Sequence, residues 1–334
     1  MPNRSRDRPS ARKPDMFVTV AICTYNRAES LRRTLESLAA MQVPPDLEWE
    51  AVVVNNNCTD HTDAVIGEFA ARLPIRREFE VQPGQSNARN RAIDAARGDY
   101  IVWTDDDVVV GPGWLAAYVA AFRRRPEAVF FGGPIRPRYE EPAVKWVVES
   151  EALLGGPFCI RDLGDEAVPL AAEGNRLPNG ANFAVRASEQ RAFRYDPDLG
   201  LTPRSHRRGD EHDVIERMLA AGAIGYPVPA ASVEHCIGRE RQTEAYLMQF
   251  FAGAGDENAF FHQRLDRHDE GPLLFGAPRW VWRGLIESWL LYRFHRHISP
   301  GPVWVRHLRA YAYSLGTMRY WRGGMRSYGS GRRS

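Results

Sequence analysis

Residues 100–115 read YIVWTDDDVVVGPGWL: a short apolar run closes on three consecutive carboxylates, Asp105, Asp106 and Asp107, and a helical pattern begins near Pro112. Adjacent carboxylates repel one another and break a strand. Their repulsion raises their pKa values unless a cation compensates, and hard divalent ions such as Mg2+ and Mn2+ favour oxygen ligands of this kind. An acidic turn that caps the helix near Pro112 is the structural alternative, because aspartate is favoured at helix N-termini.

Outward from this stretch the same arrangement repeats. FVTVAICTY (17–25) leads into a helical pattern over 28–41 with Leu31, Leu35 and Leu38 on one face; EAVVVNN (50–56) leads into 61–72; IRREFEV (75–81) into 86–97; and the opening run into 112–124. Short Val/Ile-rich runs alternating with helices of this length predict an α/β fold with a Rossmann-like, mostly parallel twisted sheet flanked by helices. Ligands of such sheets bind outside the carboxyl ends of the strands. The polar clusters CTYNR, NNNCTD, QPGQSNARN and DDD fall at those four ends.

With 334 residues, 44% hydrophobic and 26% charged, the chain has the apolar content for a sizeable core, which excludes disorder throughout. A formal net charge of +2 does not call for nucleic acid as a partner. Cys23, Cys58, Cys159 and Cys236 lie far apart with no CxxC pair, and the polar, arginine-rich residues 1–15 do not read as a signal peptide. No apolar run reaches the roughly 18 to 20 residues of a membrane span. A reducing, cytoplasmic setting is the expectation.

VAICTYNRAESLRRTLESL, VVVNNNCTD, GQSNARNRAI, WTDDDVVVGPGWL, LPNGANFAVR and GDEHDVIERMLAAG occur in an order and spacing that resemble inverting glycosyltransferases of family 2, with the GT-A fold, over about residues 16–240. The resemblance implies that Asp105 and Asp107 form a DXD motif holding Mn2+ or Mg2+ on the diphosphate of a nucleotide sugar, with Asp106 beside it. It implies that Thr24, Tyr25, Asn26 and Arg27 line the nucleotide pocket, that Asp60 is the later acid of the second loop, and that Ser86, Arg89 and Asn90 close over the nucleotide. Asn55 and Asn56 stand where the family often carries an aspartate that accepts from uracil N3–H. Asparagine accepts and also donates, so a UDP-sugar is the favoured donor and other bases stay open.

In the second half, NGANFAVRAS (179–188) resembles the family's acceptor-side loop, with Asn179, Gly180 and Asn182 as substrate-binding candidates and Gly180 permitting close approach of backbone to ligand. RRGDEHDVIERMLAAG places Asp210, Glu211 and Asp213 at the start of a helix whose apolar face is Val214, Ile215, Met218 and Leu219. Acids stabilise a first helical turn. The resemblance instead implies a Glu-Asp motif in which one carboxylate is the general base on the acceptor hydroxyl. The order here is Asp then Glu, so position points to Glu211 and residue identity to Asp210, with Glu211 favoured. In an inverting reaction one base suffices, because the acceptor attacks opposite the leaving diphosphate and no enzyme nucleophile is required. VEHCIGRERQT (233–243) adds His235 as a metal-ligand candidate and Arg239 and Arg241 as diphosphate contacts.

Composition shifts beyond about residue 265. From Arg279 to Ser334 there are eleven arginines and one acid, Glu287, interleaved with tryptophans and tyrosines. Such helices suit the surface of an anionic membrane, and a helical appendage packing its aromatics on the catalytic domain is the structural alternative. The expected organisation is a flexible basic N-terminus (1–15), a catalytic domain (16–265) with a nucleotide-binding half to about 135 and an acceptor half after it, and a basic, aromatic helical C-terminal region (266–334). The expected activity is metal-dependent transfer from the nucleotide sugar to a hydroxyl of a glycan or lipid-linked acceptor, by a cytoplasmic chain peripheral at the inner face of the plasma membrane. A sugar-nucleotide pyrophosphorylase would carry a glycine-rich loop after the first strand, where this chain has CTYNRAES. A non-catalytic sugar-nucleotide binder would have no need of both the acid triplet and GDEHD.

Overall fold

The first four strands and their helices form where the periodicity places them. They are β1 (Phe17–Thr24), α1 (Ala28–Ala39), β2 (Glu48–Asn55), α2 (Thr62–Glu68), β3 (Ile75–Phe79), α3 (Gln85–Ala95), β4 (Tyr100–Thr104), the short β5 (Val108–Val110) and α4 (Trp114–Arg124). This computed structural model describes residues 16–172, 176–203, 207–264 and 272–324, so the basic N-terminus expected over 1–15 lies outside the described residues. There follow β6 (Phe130–Gly132), β7 (Ile135–Tyr139), α5 (Lys145–Glu149), β8 (Asn182–Arg186), α6 (Ala187–Ala192), α7 (Asp210–Ala220), β9 (Gly225–Pro227) and β10 (Val233–Ile237), then the long helices α8 (Glu244–Arg264), α9 (Arg279–Ile298) and α10 (Gly301–Arg319).

The central sheet has the order β3-β2-β1-β4-β8-β6-β9. Its first four strands are parallel, in keeping with their helical crossovers, while β8 runs antiparallel to both β4 and β6, which makes the sheet mixed. A second sheet, β5-β10-β7, lies beside it and ties the segment after the acid triplet to the GDEHD-side half of the chain through β10. Side chains alternate along β1 as a strand requires. Val18, Val20 and Ile22 enter a core with Leu31, Leu35 and Leu38 of α1 and Trp114, Tyr118 and Phe122 of α4; Ala21 enters the opposite core with Ala92 and Ile93 of α3 and Val214, Ile215 and Met218 of α7. The edge strand β3 carries Arg76 and Arg77, charges that discourage further strand pairing.

The C-terminal helices share a core with the rest of the molecule. Leu247 and Phe251 of α8 pack with Trp304, Val305, Leu308 and Ala312 of α10, and with Val147, Leu154, Phe158 and Ile237. Two glycines set how close α8 and α10 come. A Cβ on Gly255 would lie 2.0 Å from the Tyr313 carbonyl oxygen, and one on Gly316 would lie 1.8 Å from the Ala252 carbonyl oxygen. The backbones therefore touch, and Thr317 Oγ1 donates across the contact to the Gly255 carbonyl at 3.2 Å. Alanine at either glycine has no flexible neighbour to push aside. Gly255→Ala and Gly316→Ala should each destabilise the full chain by about 2 kcal/mol or more, read as a lowered thermal unfolding midpoint, because overpacking against backbone forces the helices apart. An unchanged midpoint in both would mean that these helices do not pack as described.

Candidate functional site

A cleft of about 720 Å³ opens at the carboxyl ends of the parallel strands, within the range typical of small-ligand sites. Thr24, Tyr25 and Arg27 reach it from the end of β1, Asn56 from β2, Arg89 from α3, Asp105, Asp106 and Asp107 from β4, and Asp210 and Glu211 from the start of α7. Asn179, Gly180, His235 and Arg241 complete the predicted residues that line it.

The three aspartates are not equivalent. Asp106 accepts from Thr24 Oγ1 at 2.7 Å and from Arg27 Nη1 at 2.8 Å, which ties the two strand-end loops together; burial still pushes its pKa up, with Arg27 opposing. Asp107 Oδ2 accepts from Arg27 at 2.8 Å and from Arg241, while Oδ1 lies 3.4 Å from His235 Nε2 and has no hydrogen-bond partner. Arg241 Nη1 donates to that same His235 Nε2 at 3.0 Å. A nitrogen that accepts from arginine cannot also donate to Asp107, so the 3.4 Å approach is a bare contact. Burial alone would raise the Asp107 pKa, but the Arg241 and Arg27 guanidinium groups hold it well below the usual carboxylate range. Asp105 is the open member, with 34% of its side chain exposed and its nearest cation, Arg89, 4.0 Å away. Burial of its surroundings and the two neighbouring carboxylates push it up to about 6, with Arg89 pulling the other way.

This donor set fits a hard divalent ion: Asp105 is open to the cleft, and Asp107 Oδ1 is buried and unpartnered with the lone-pair nitrogen of His235, Nε2, 3.4 Å from it. Among the described residues no three His, Cys, Asp or Glu side chains already converge as a cage. An ion held here would draw further ligands from phosphate oxygens, as Mg2+ does.

Across the cleft, Arg89 joins the two acidic motifs. Its Nη1 donates to Asp210 Oδ2 at 2.6 Å and to Glu211 Oε2 at 3.2 Å, and its side chain is only 3% exposed. Gly180 leaves room for it, since a Cβ there would lie 2.1 Å from Arg89 Nη2. The Gly180 backbone N–H in turn donates to Glu211 Oε1 at 3.3 Å. Burial keeps the proton on Asp210 far above its ordinary range despite Arg89. In Glu211, burial is outweighed by Arg89 and His212, which hold the carboxyl low and ionised.

Seven predicted residues stand outside the cleft lining, with their polar groups engaged inside the protein or at its surface. Asn26, at φ 51°, accepts the Thr59 N–H at 2.7 Å. Asn55 donates to Asp63 and accepts from the Cys58 N–H, and Asp60 accepts from Ala28 N and Thr62. Ser86 donates to the Leu199 carbonyl, and Asn90 exchanges two hydrogen bonds with the Tyr195 backbone. Asn182 is fully buried and accepts from Trp114 and Tyr118 while donating to the Pro134 and Ala231 carbonyls, which exhausts its capacity and makes it a brace rather than a substrate contact. Arg239 is exposed and pairs with Glu141. Asn56, though in the lining, gives Nδ2 to the Glu80 and Gln82 carbonyls and takes the Gly84 N–H on Oδ1, so its side chain braces the β3–α3 loop.

The cleft also contains residues that the motifs did not reveal: Arg161, Arg208, His212, Phe250 and Glu257. Arg161 donates to Asn179 Oδ1 at 2.7 Å, and the Arg208 guanidinium lies 4.3 Å over the Phe250 ring. Phe250 and Glu257 come from α8, where Glu257 stands in the polar run Asp256–Asn258 just after Gly253 and Gly255.

A model of the family described as Glycosyl transferase family 2 matches residues 19–176. The chain is 31% identical over 237 residues to the succinoglycan biosynthesis protein ExoM of Rhizobium meliloti, covering 70% of this chain and 71% of that one. It is 30% identical over 125 residues to the glucosyl-dolichyl phosphate glucuronosyltransferase of Haloferax volcanii, covering 36% of this chain and 39% of the relative. Among solved structures, the mannosyltransferase PcManGT of Pyrobaculum calidifontis in complex with GDP-Man and Mn2+ superposes with a TM-score of 0.57 at 17% identity, over 95% of this chain and 92% of that one. S. aureus TarS 1–349 with UDP-GlcNAc superposes with a TM-score of 0.51 at 14% identity, over 92% of each chain. These likenesses establish the GT-A fold.

Burial and the charge of Glu211 raise Glu257 from 4.5 to about 7. The folded chain therefore binds more protons at this position than the unfolded chain between those two values, and stability falls as pH rises through that window. Glu257→Gln removes the titration. The variant should match the parent near pH 4.5 and be more stable above pH 7, by about 1 to 3 kcal/mol at about 1.36 kcal/mol per tenfold in proton affinity. Thermal unfolding at the two pH values checks it, and a gain of the same size at both would refute the assignment.

Proposed function

Since the chain belongs to glycosyl transferase family 2 and is a glycosyltransferase, we propose that it moves a sugar, with inversion, from a UDP-sugar to a hydroxyl of a glycan or lipid-linked acceptor. The observation that carries this reading is the placement of the Asp105/Asp107 pair and the Asp210/Glu211 pair in one cleft, joined through Arg89.

In this reading the donor diphosphate lies by Asp105 and Asp107, with Arg27 and Arg241 as the nearby cations that recognise phosphate. Asp105, Asp107 and His235 would hold a divalent ion, Mn2+ or Mg2+. Bound there, such an ion supplies charge neutralisation on the leaving diphosphate. The half-exposed ring of Tyr25 offers a face for the base. With both asparagine amides of the second loop engaged by the protein, uridine rests on the family resemblance; the fold also accommodates GDP-Man in PcManGT and UDP-GlcNAc in TarS. Glu211 takes the acceptor proton: it is ionised, and 18% of its side chain is exposed against 1% for Asp210. Asp210 orients Arg89, and Arg89 keeps Glu211 aimed. The acceptor side is formed by Asn179, Gly180, Arg161, Arg208 and the α8 residues. A cytoplasmic chain peripheral at the inner face of the plasma membrane completes the proposal; among the described residues no helix is long and apolar enough to cross a membrane.

Glu211→Gln should cut transfer by about 10² to 10⁴ while donor affinity moves little, because general-base assistance contributes that much to rate. Asp210→Asn is the comparison: near-normal transfer by the first with a large loss in the second would move the base by one residue, and near-normal transfer in both would reject the site. Asp107→Asn keeps the shape of the site but removes its charge. By calorimetry it should weaken Mn2+-dependent UDP binding roughly tenfold or more, a change of about 1.4 kcal/mol. Unchanged affinity would sink the metal assignment. Thermal shift with UDP- and GDP-sugars separates the bases, since a ligand at about 100 times its Kd stabilises by about 2.7 kcal/mol.

A further inference from the structure

The outward face of α9 carries an unusual number of large apolar side chains for a surface helix. Trp280, Ile286, Leu290, Phe294 and Ile298 are 58%, 54%, 54%, 62% and 64% exposed, the largest such group on any helix among the described residues. Their spacing places them within about 120° of arc on a 3.6-residue helix, over about 30 Å, an arc they share with the exposed Arg279, Arg283, Glu287 and His297. The opposite face is the one that packs: Val281 and Ser288 are buried there, and Tyr292 and Arg296 both reach Glu244 of α8.

Apolar side chains also precede the helix. Leu273–Leu274 and Ala277–Pro278 pair as a tight hairpin whose turn residues, Phe275 and Gly276, both have positive φ, 48° and 83°. This turn projects Phe275 at 79% exposure, and its ring sits edge-on to Trp282 at 6.2 Å. The hairpin tip thus sits beside the first turn of α9, adjacent to this face.

Charge decides what covers it. Arg279 and Arg283 are exposed within this arc and Arg293 at its edge. The only carboxylate from Arg279 onward, Glu287, is paired with Arg283 at 2.7 Å. A second copy of the chain docked by two-fold symmetry would set these arginines against their own counterparts. Residues 1–15 and 325–334, which lie outside the described residues, are themselves arginine-rich, so they bring the same sign of charge. Large apolar side chains interspersed with arginine match the boundary between acyl chains and anionic headgroups.

We infer that the α9 face and the 273–276 tip dock on an anionic lipid bilayer, with α9 lying in the plane of the interface and Phe275 inserted beside it. The inference rests on the membrane-peripheral placement proposed above and names the surface responsible.

The test is co-sedimentation of the full chain with vesicles of phosphatidylcholine alone and of phosphatidylcholine with phosphatidylglycerol. The parent should bind the anionic vesicles, less so at high salt. Leu290→Glu with Phe294→Glu should lower the partition coefficient roughly tenfold or more, and Arg283→Gln with Arg293→Gln should remove the preference for phosphatidylglycerol. Mn2+-dependent UDP binding, read in the same preparations, should be unchanged, because none of these residues lines the cleft. If the parent binds anionic vesicles and the Leu290/Phe294 variant binds equally well, the surface is wrong and the membrane placement stands. If the parent binds neither vesicle, both fail. If sedimentation velocity instead shows a parent dimer that the same variant converts to monomer, this face is a self-association surface and the inference is overturned.

Discussion

A guanidinium with 3% of its side chain exposed is the constraint around which the cleft is arranged. Burying a lone cation is among the costliest things a fold can do, and the cost is offset only when anions and good hydrogen-bond geometry are close at hand. Arg89 has the ionised Glu211 at 3.2 Å and Asp105 at 4.0 Å, the protonated Asp210 accepting its hydrogen bond at 2.6 Å, and the Tyr195 ring 5.2 Å from its guanidinium carbon. These partners come from three chain segments far apart in sequence. The absence of a side chain at Gly180 then becomes intelligible, as does the left-handed Gly200, where a Cβ would meet Ser86 and Asp210. One buried charge thereby fixes the relative placement of α3, the end of β4 and the start of α7.

The acid triplet shows the same division of labour at smaller scale. Asp106 and Asp107 are engaged by Arg27, Thr24 and Arg241, which holds the loop in shape. That leaves Asp105 with its charge uncompensated at close range and its pKa pushed up to about 6. A carboxylate kept in such surroundings is a standing destabilisation, and groups of this kind concentrate where a protein binds ions or performs chemistry.

Much of this was legible in the sequence. The four strand–helix repeats and the polar clusters at their ends placed one side of the cleft, because alternation of period 2 and period 3.6 is a local property of the chain. What could not be read was saturation. Asn182, Ser86 and Asn90 sit in motifs beside residues that do line the cleft, yet their hydrogen bonds run to backbone groups and side chains distant in sequence, and nothing local announces that. The antiparallel β8 escaped for a similar reason: its pairing with β4 and β6 is decided by tertiary order, not by its own residues. Glu257 and Phe250 were invisible because a helix that packs on one side and faces a cleft on another has no clean periodicity to betray either role.

The helix α8 joins two parts that the composition of the chain would separate. One side of it supplies Phe250 and Glu257 to the cleft, and the other carries Leu247 and Phe251 into the core shared with α10, with backbone touching backbone at Gly255 and Gly316. The C-terminal helices are therefore not an interchangeable attachment. A chimera that joined this chain's strand–helix body to the terminal helices of a relative would recut one wall of the cavity, so donor and acceptor preferences in such hybrids would not segregate cleanly with the halves from which they were built.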